Sequence, residues 1–167
     1  LSGTLIVVEG PTDQAFIRGV AERLNTACKI VFMRGNKPEK AYRILTIYMG
    51  KFEKAIVLKD VHRSGIDRTP IIERLASRIK QLEKQNMRAR VLPVKRSIEA
   101  WILAGLSLTS PEEILDPEEE LKKAMQRRGK YYVKSPEVYK RLAKEIDIEK
   151  AMSLSKTFKD FIDFLSH

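Results

Sequence analysis

The sequence predicts an α/β fold: a four-stranded, mainly parallel sheet flanked by helices, with a helical C-terminal extension. Three observations carry this. Short apolar runs rich in β-branched residues recur four times: LIVV at 5–8, KIVFM at 29–33, AIVL at 55–58 and VLPV at 91–94. Stretches with helical spacing separate them, and such alternation implies parallel strands joined by right-handed crossovers. Beyond residue 104 apolar residues recur almost entirely at helical spacing. Residues 1–104 are therefore expected to form the α/β core, and residues 105–167 to pack on it as an extension of one globular unit.

Strand one covers residues 4–8 and stops abruptly at Glu9. Gly10 and Pro11 turn the chain into helix one, over 11–24, with Phe16, Val20 and Leu24 on one stripe. Strand two is 29–33. Helix two, over 38–49, turns Ala41, Leu45 and Tyr48 inward. Strand three, 54–59, leads to Asp60. Helix three, over 69–85, places Ile71, Leu75, Ile79 and Leu82 on one face, and strand four is 89–94. Ser97 is placed to cap the next helix, through Ile98, Trp101 and Ile102, with Trp101 in the core. Prolines 111 and 117 mark turns. Short helices follow, ending in FKDFIDFL with Phe158, Phe161, Phe164 and Leu165 as its apolar side; only 131–133 hint at a further strand.

The chain has 167 residues, 43% hydrophobic and 32% charged, which suits one domain with a sizeable core. No apolar run reaches the ~18 residues of a membrane span, so no membrane association is expected. The start reads as a strand rather than a signal peptide, and beginning at Leu1 instead of Met leaves room for preceding residues. The single cysteine, Cys28, excludes an internal disulfide and a cysteine-based zinc site; a buried, inert thiol and a cytoplasmic location are expected. The net charge is +10, and all of that excess lies in residues 1–104, since residues 105–167 are balanced. A basic field of this kind favours a polyanionic partner, most often nucleic acid, although a generally basic soluble protein has the same composition.

Three acids stand at the ends or edges of the core: Glu9 after strand one, Asp60 after strand three and Glu99 after strand four. In open α/β sheets ligands bind at the C-terminal strand edge, and a doubly wound order makes strands one and three neighbours there. Carboxylates so placed repel unless a divalent cation or a proton joins them, and oxygen donors select Mg²⁺ or Mn²⁺. Each acid also has a structural reading: Glu9 and Glu99 as helix-dipole partners, Asp60 as a turn former. Asp13, in the first turn of helix one, is expected to be structural. Lys95 and Arg96 follow strand four at the same edge and, with Arg63, are candidate nucleic-acid contacts, or else solvated loop charges. Lys59 is expected to point away from the site by strand alternation. QRRGKYY at 126–132 mixes cations with two tyrosines, suited either to single-stranded nucleic acid or to a solvated turn with tyrosines packed inward.

VEGPTDQAF, a strand followed by Glu-Gly-x-x-Asp and a helix, resembles the first motif of the Toprim domain, shared by type IA and II topoisomerases, bacterial primases and OLD-family nucleases. LKDVH matches the second, Asp-x-Asp motif in part: Asp60 stands at its first acid and His62 at its second. SIEAWILA and SKTFKDF are similar to the small OLD-like Toprim proteins. The resemblance covers roughly residues 4–104 and implies a Toprim/Rossmann-like fold. It also implies Glu9 as general acid/base or metal contact, Asp60 as principal metal ligand and Glu99 as a further ligand, with Mg²⁺ or Mn²⁺ as cofactor. His62 is a poor Mg²⁺ ligand and brings no negative charge. The site would then prefer Mn²⁺, or draw on Asp67 or Glu99, or bind without activity; Gly65 would let the loop turn tightly enough for Asp67 to reach in.

The leading expectation is thus a divalent-metal-dependent nuclease acting on DNA or RNA, with a homodimer or a larger complex as candidate assemblies. The alternatives are a decayed Toprim-like module that binds nucleic acid or protein, and a phosphoacceptor receiver domain, which would need a fifth strand. Topoisomerase and primase activity do not suit a chain this short with no tyrosine in a strand-passage context.

Overall fold

The fold, taken from a computed structural model, is described for residues 3–34, 37–63, 66–85 and 87–167, without the side chains of His62, Arg63 and Ile66. The main sheet has four parallel strands: β1 (Thr4–Val8), β2 (Cys28–Phe32), β3 (Lys54–Asp60) and β6 (Arg88–Val94), in the order β2-β1-β3-β6. A short antiparallel pair, β4 (His62–Arg63) and β5 (Ile66–Asp67), follows β3. The chain leaves β1 for one side and returns on the other with β3, so the two strands meet at the switch point where a doubly wound sheet opens a crevice. Pro93 lies within β6, an edge strand, where one side of the strand has no ladder to lose.

Side chains alternate across the sheet, and each face carries its own core. On one face Leu5, Val7, Ala55 and Val57 pack under α2 (Pro38–Ile47) and α3 (Thr69–Glu83), against Leu45, Leu75 and Ile79. On the other, Ile6, Val8, Ile56, Leu58, Leu92 and Val94 pack under α1 (Pro11–Arg23) and the C-terminal helices. Helices α2, α3 and α1 all start at or next to a proline, whose fixed φ suits the first turn. They end two or one residues earlier than periodicity suggests. In α3 it is Ile72 that is buried with Leu75, Ile79 and Leu82, while Ile71 is half-buried at the margin of that face.

The C-terminal part comprises α4 (Ile98–Gly105), a 3-10 turn (Pro111–Glu113), α5 (Pro117–Arg127), α6 (Pro136–Glu145), α7 (Ile148–Leu154) and α8 (Lys156–Ser166). Residues 131–133 form no strand. Ser97 occupies the N-cap position of α4 without a side-chain cap bond. Trp101 is fully buried; its ring stacks on Phe161, meets Phe158 edge-on, and its indole N–H donates to Thr157 Oγ1 at 2.8 Å. Phe164 and Leu165 are buried with them. Helix α6 lies against α1 at Gly19, where a Cβ would stand 2.6 Å from the Ala143 Cβ. Arg23 locks the same pair by donating to the Ala143 and Ile146 carbonyls at 2.9 and 2.6 Å. Lys54 is buried under the end of α8 and donates to the Phe164 and Leu165 carbonyls, which a helix C-terminus leaves without intrahelical donors. Cys28 is half-buried at the outer end of β2, not enclosed as expected, because β2 is an edge strand; burial raises its thiol pKa.

Candidate functional site

Glu9 is buried at the C-terminal end of β1, 5% exposed. Its Oε1 accepts from Lys59 Nζ at 3.2 Å and from Arg68 Nη1 at 2.7 Å, and its Oε2 accepts the Asp60 backbone N–H at 3.1 Å. The β1–β3 register explains the first contact: Val7 lies opposite Val57, and two residues on, Glu9 comes opposite Lys59 on the same sheet face. Lys59 does alternate away from Asp60, but it alternates toward Glu9, and so belongs to the site. It is fully enclosed; burial lowers its pKa, and Glu9 works against that shift. Arg68 arrives from the residue before α3, directly after β5. Two cations share one enclosed carboxylate, so Glu9 is the member on which the buried network depends.

A second group of acids lies beside Glu9. Asp13 Oδ2 accepts the Gly10 N–H at 3.1 Å, the expected helix-start contact. Its carboxyl also feels Glu99 and Glu9. Burial first, then Glu99 and Glu9, push the Asp13 pKa from its ordinary 3.8 up to about 7. Glu99, buried in the first turn of α4, accepts from Tyr139 Oη at 2.8 Å. Tyr139 Oη in turn lies 2.9 Å from Tyr132 Oη. Burial and the neighbouring Glu99 raise the Tyr139 pKa, so its hydroxyl stays a neutral donor. Lys134 closes the group: burial disfavours its ammonium, but Glu99, Glu118 and Asp13 outweigh this and raise its pKa.

Of the residues singled out in the sequence, Glu9, Asp60 and Glu99 all stand at this sheet edge. Asp60 ends β3 with its backbone bonded to Glu9, and is itself buried. Asp67 is exposed and accepts from Thr69 N and Oγ1 at 2.9 and 2.7 Å, at the start of α3. Arg96 has a left-handed backbone, φ 72°, and its Nε donates to the Glu112 carbonyl at 3.3 Å. Lys95 is exposed beside it. The side chains of His62 and Arg63, and Gly65, lie outside the described residues. Asp13, Lys59, Arg68 and Tyr139 are the site members that sequence reasoning missed. The four-residue step from Glu9 to Asp13 across Gly10 was the available signal for the first. Tyr139 sits in an amphipathic helix with nothing in its pattern to set it apart.

Among the described residues no three acid, histidine or cysteine side chains converge as a formed metal cage. The donor chemistry nevertheless suits a hard cation. Asp13 and Glu99 are carboxylates that repel, Glu99 meets the hydroxyl of Tyr139, and Lys134 partly offsets the pair. The chain matches no protein-family model, and no curated protein is similar to it.

Proposed function

We propose that this chain is a Toprim-like, divalent-metal-dependent nuclease that hydrolyses phosphodiester bonds in nucleic acid. One observation carries the reading: Glu9 and Glu99, both buried, and Asp13, bonded to the Gly10 N–H, gather at the switch point, where burial, Glu99 and Glu9 push the Asp13 pKa up to about 7. Repelling acids destabilise a fold, so their retention at a ligand-binding edge fits a site that meets positive charge. Asp13 and Glu99 would hold Mg²⁺ or Mn²⁺, a hard cation that takes one or two carboxylates and keeps several waters. When bound, the cation would polarise the phosphodiester and favour hydroxide over water.

The chain's own residues have separate tasks. Lys59 and Arg68 fix the Glu9 carboxylate and, with it, the Asp60 backbone. Tyr139 holds Glu99 by donating to Oε2. Asp13, with a pKa near neutrality, would give up its proton as the cation arrives. The basic surplus of residues 1–104 supports a polyanionic substrate.

A second reading, a nucleic-acid-binding module without catalysis, draws support from Glu9, whose charge already has two cationic partners. The receiver-domain reading has less, since the parallel sheet has four strands where a fifth would be needed. The deciding experiment incubates supercoiled plasmid, single-stranded DNA and RNA with the protein in Mn²⁺ or Mg²⁺, beside Asp13→Asn and Glu99→Gln. Metal-dependent cleavage by the parent, lost in both variants, is expected. Binding without cleavage in either metal would favour the second reading.

A further inference from the structure

The C-terminal part is neutral overall, but its charge is not evenly spread. Residues 121–144 contain nine lysines and arginines and one acid, Glu137. Within that stretch Tyr131 is 69% exposed, an unusual place for a large aromatic ring. It is nevertheless tied to α6. Arg141 Nη2 donates to the Tyr131 carbonyl at 2.8 Å, and the next residue, Tyr132, meets Tyr139 through its hydroxyl at 2.9 Å. Tyr139 bonds Glu99, so the arm is two hydrogen bonds from a carboxylate of the candidate site. Lys134 lies on the same arm. Its Nζ donates to Glu118 at 3.1 Å, and it interacts electrostatically with Glu99 and Asp13.

We propose that residues 129–134 are the binding arm of the site and select single-stranded nucleic acid, with Tyr131 stacking on an unpaired base and Lys134 meeting an adjacent phosphate. The inference rests on the nuclease reading and names its substrate class. A fixed backbone carrying a solvent-facing ring is preorganised, so little ordering is lost when a base stacks on it. Every base has a face to offer, but only a strand without its complement leaves that face open. The ion pairs around the arm, including Lys130–Glu145 and Lys134–Glu118, are solvent-exposed and worth little each, so phosphates can replace the carboxylates.

The test measures binding of short fluorescent oligonucleotides by anisotropy in EDTA, where turnover does not interfere. Single strands should bind more tightly than the matching duplex. Tyr131→Ala should weaken single-strand binding about 5- to 150-fold, as loss of one base stack does, while Tyr131→Phe retains it. Lys134→Gln should flatten the dependence of log affinity on log salt by about 0.7. Circular dichroism of each variant verifies folding, which an exposed side chain should not disturb. Duplex binding as tight as single-strand binding, no binding at all, or an unchanged affinity in Tyr131→Ala (the result if Tyr131 docks a protein instead) would overturn the proposal. Cleavage is read separately, so an arm that binds single strands on a protein that cuts nothing would sink the nuclease reading alone.

Discussion

Tyr139 Oη donates to Glu99 Oε2 over 2.8 Å, from a helix forty residues further along the chain. This bond ties the extension to the acidic edge of the sheet, because α6 carries Tyr139 and also packs on α1 at Gly19. Removing the hydroxyl with Tyr139→Phe keeps the ring but strips a buried carboxylate and Tyr132 of their partner. A loss of about 1–3 kcal/mol in urea unfolding is expected. An unchanged midpoint would mean that solvent already satisfies Glu99.

Glu9→Gln tests the buried network. It takes the shared carboxylate away from Lys59, fully enclosed, and Arg68, and should cost about 3–5 kcal/mol. Adding Lys59→Met should recover part of that loss, since the stranded ammonium is gone. If the double variant is as unstable as the sum of the two single ones, Glu9 and Lys59 do not act as a pair. It also follows that lost activity in Glu9→Gln alone would not identify a catalytic group, whereas Asp13→Asn and Glu99→Gln avoid stranding these two cations.

Asp13 makes stability depend on pH. Its folded pKa, about 7, lies above the ordinary 3.8, so the folded state binds more protons than the unfolded state between those values. Its contribution is fully present below about pH 4 and is lost as pH rises through 7. In EDTA, thermal unfolding of the parent should therefore show stability falling across that window, and Asp13→Asn should flatten the fall while keeping an oxygen for the Gly10 N–H. Parallel pH profiles for the two proteins would refute this.

Gly19→Ala sets packing against propensity. In an exposed helix the change would stabilise by about 1 kcal/mol. Here the new Cβ would stand 2.6 Å from Ala143 Cβ and 3.2 Å from the Lys140 carbonyl oxygen, so α1 and α6 must part. A net destabilisation of about 1–3 kcal/mol is expected, measured by denaturant midpoint. A gain in stability would show that the helices can separate freely.

The sheet was legible because buried parallel strands need continuous apolar runs, and LIVV, KIVF and AIVL can be little else between helical stretches. The neighbourhood of β1 and β3 followed from the crossover pattern, which brings Glu9 to Asp60. What sequence could not give was direction within the edge. Strand alternation correctly put Lys59 opposite Asp60, yet only the register of β3 against β1 reveals that Glu9 shares the lysine's face. Arg68 depends on a turn after β3, and Tyr139 on which face of an amphipathic helix meets α4; neither is a local property. Asp13 was readable as a helix-start acid, and it does bond the Gly10 N–H, but its second role needs Glu99 from another strand–helix junction nearby.

The most direct test of the central claim is calorimetric titration of Mn²⁺ into the metal-free protein near pH 7, in two buffers of different ionisation enthalpy. The account predicts saturable binding with release of about half a proton as Asp13 gives up its share, and at least about tenfold weaker binding in both Asp13→Asn and Glu99→Gln. No saturable heat, or equal affinity in all three proteins, would contradict it.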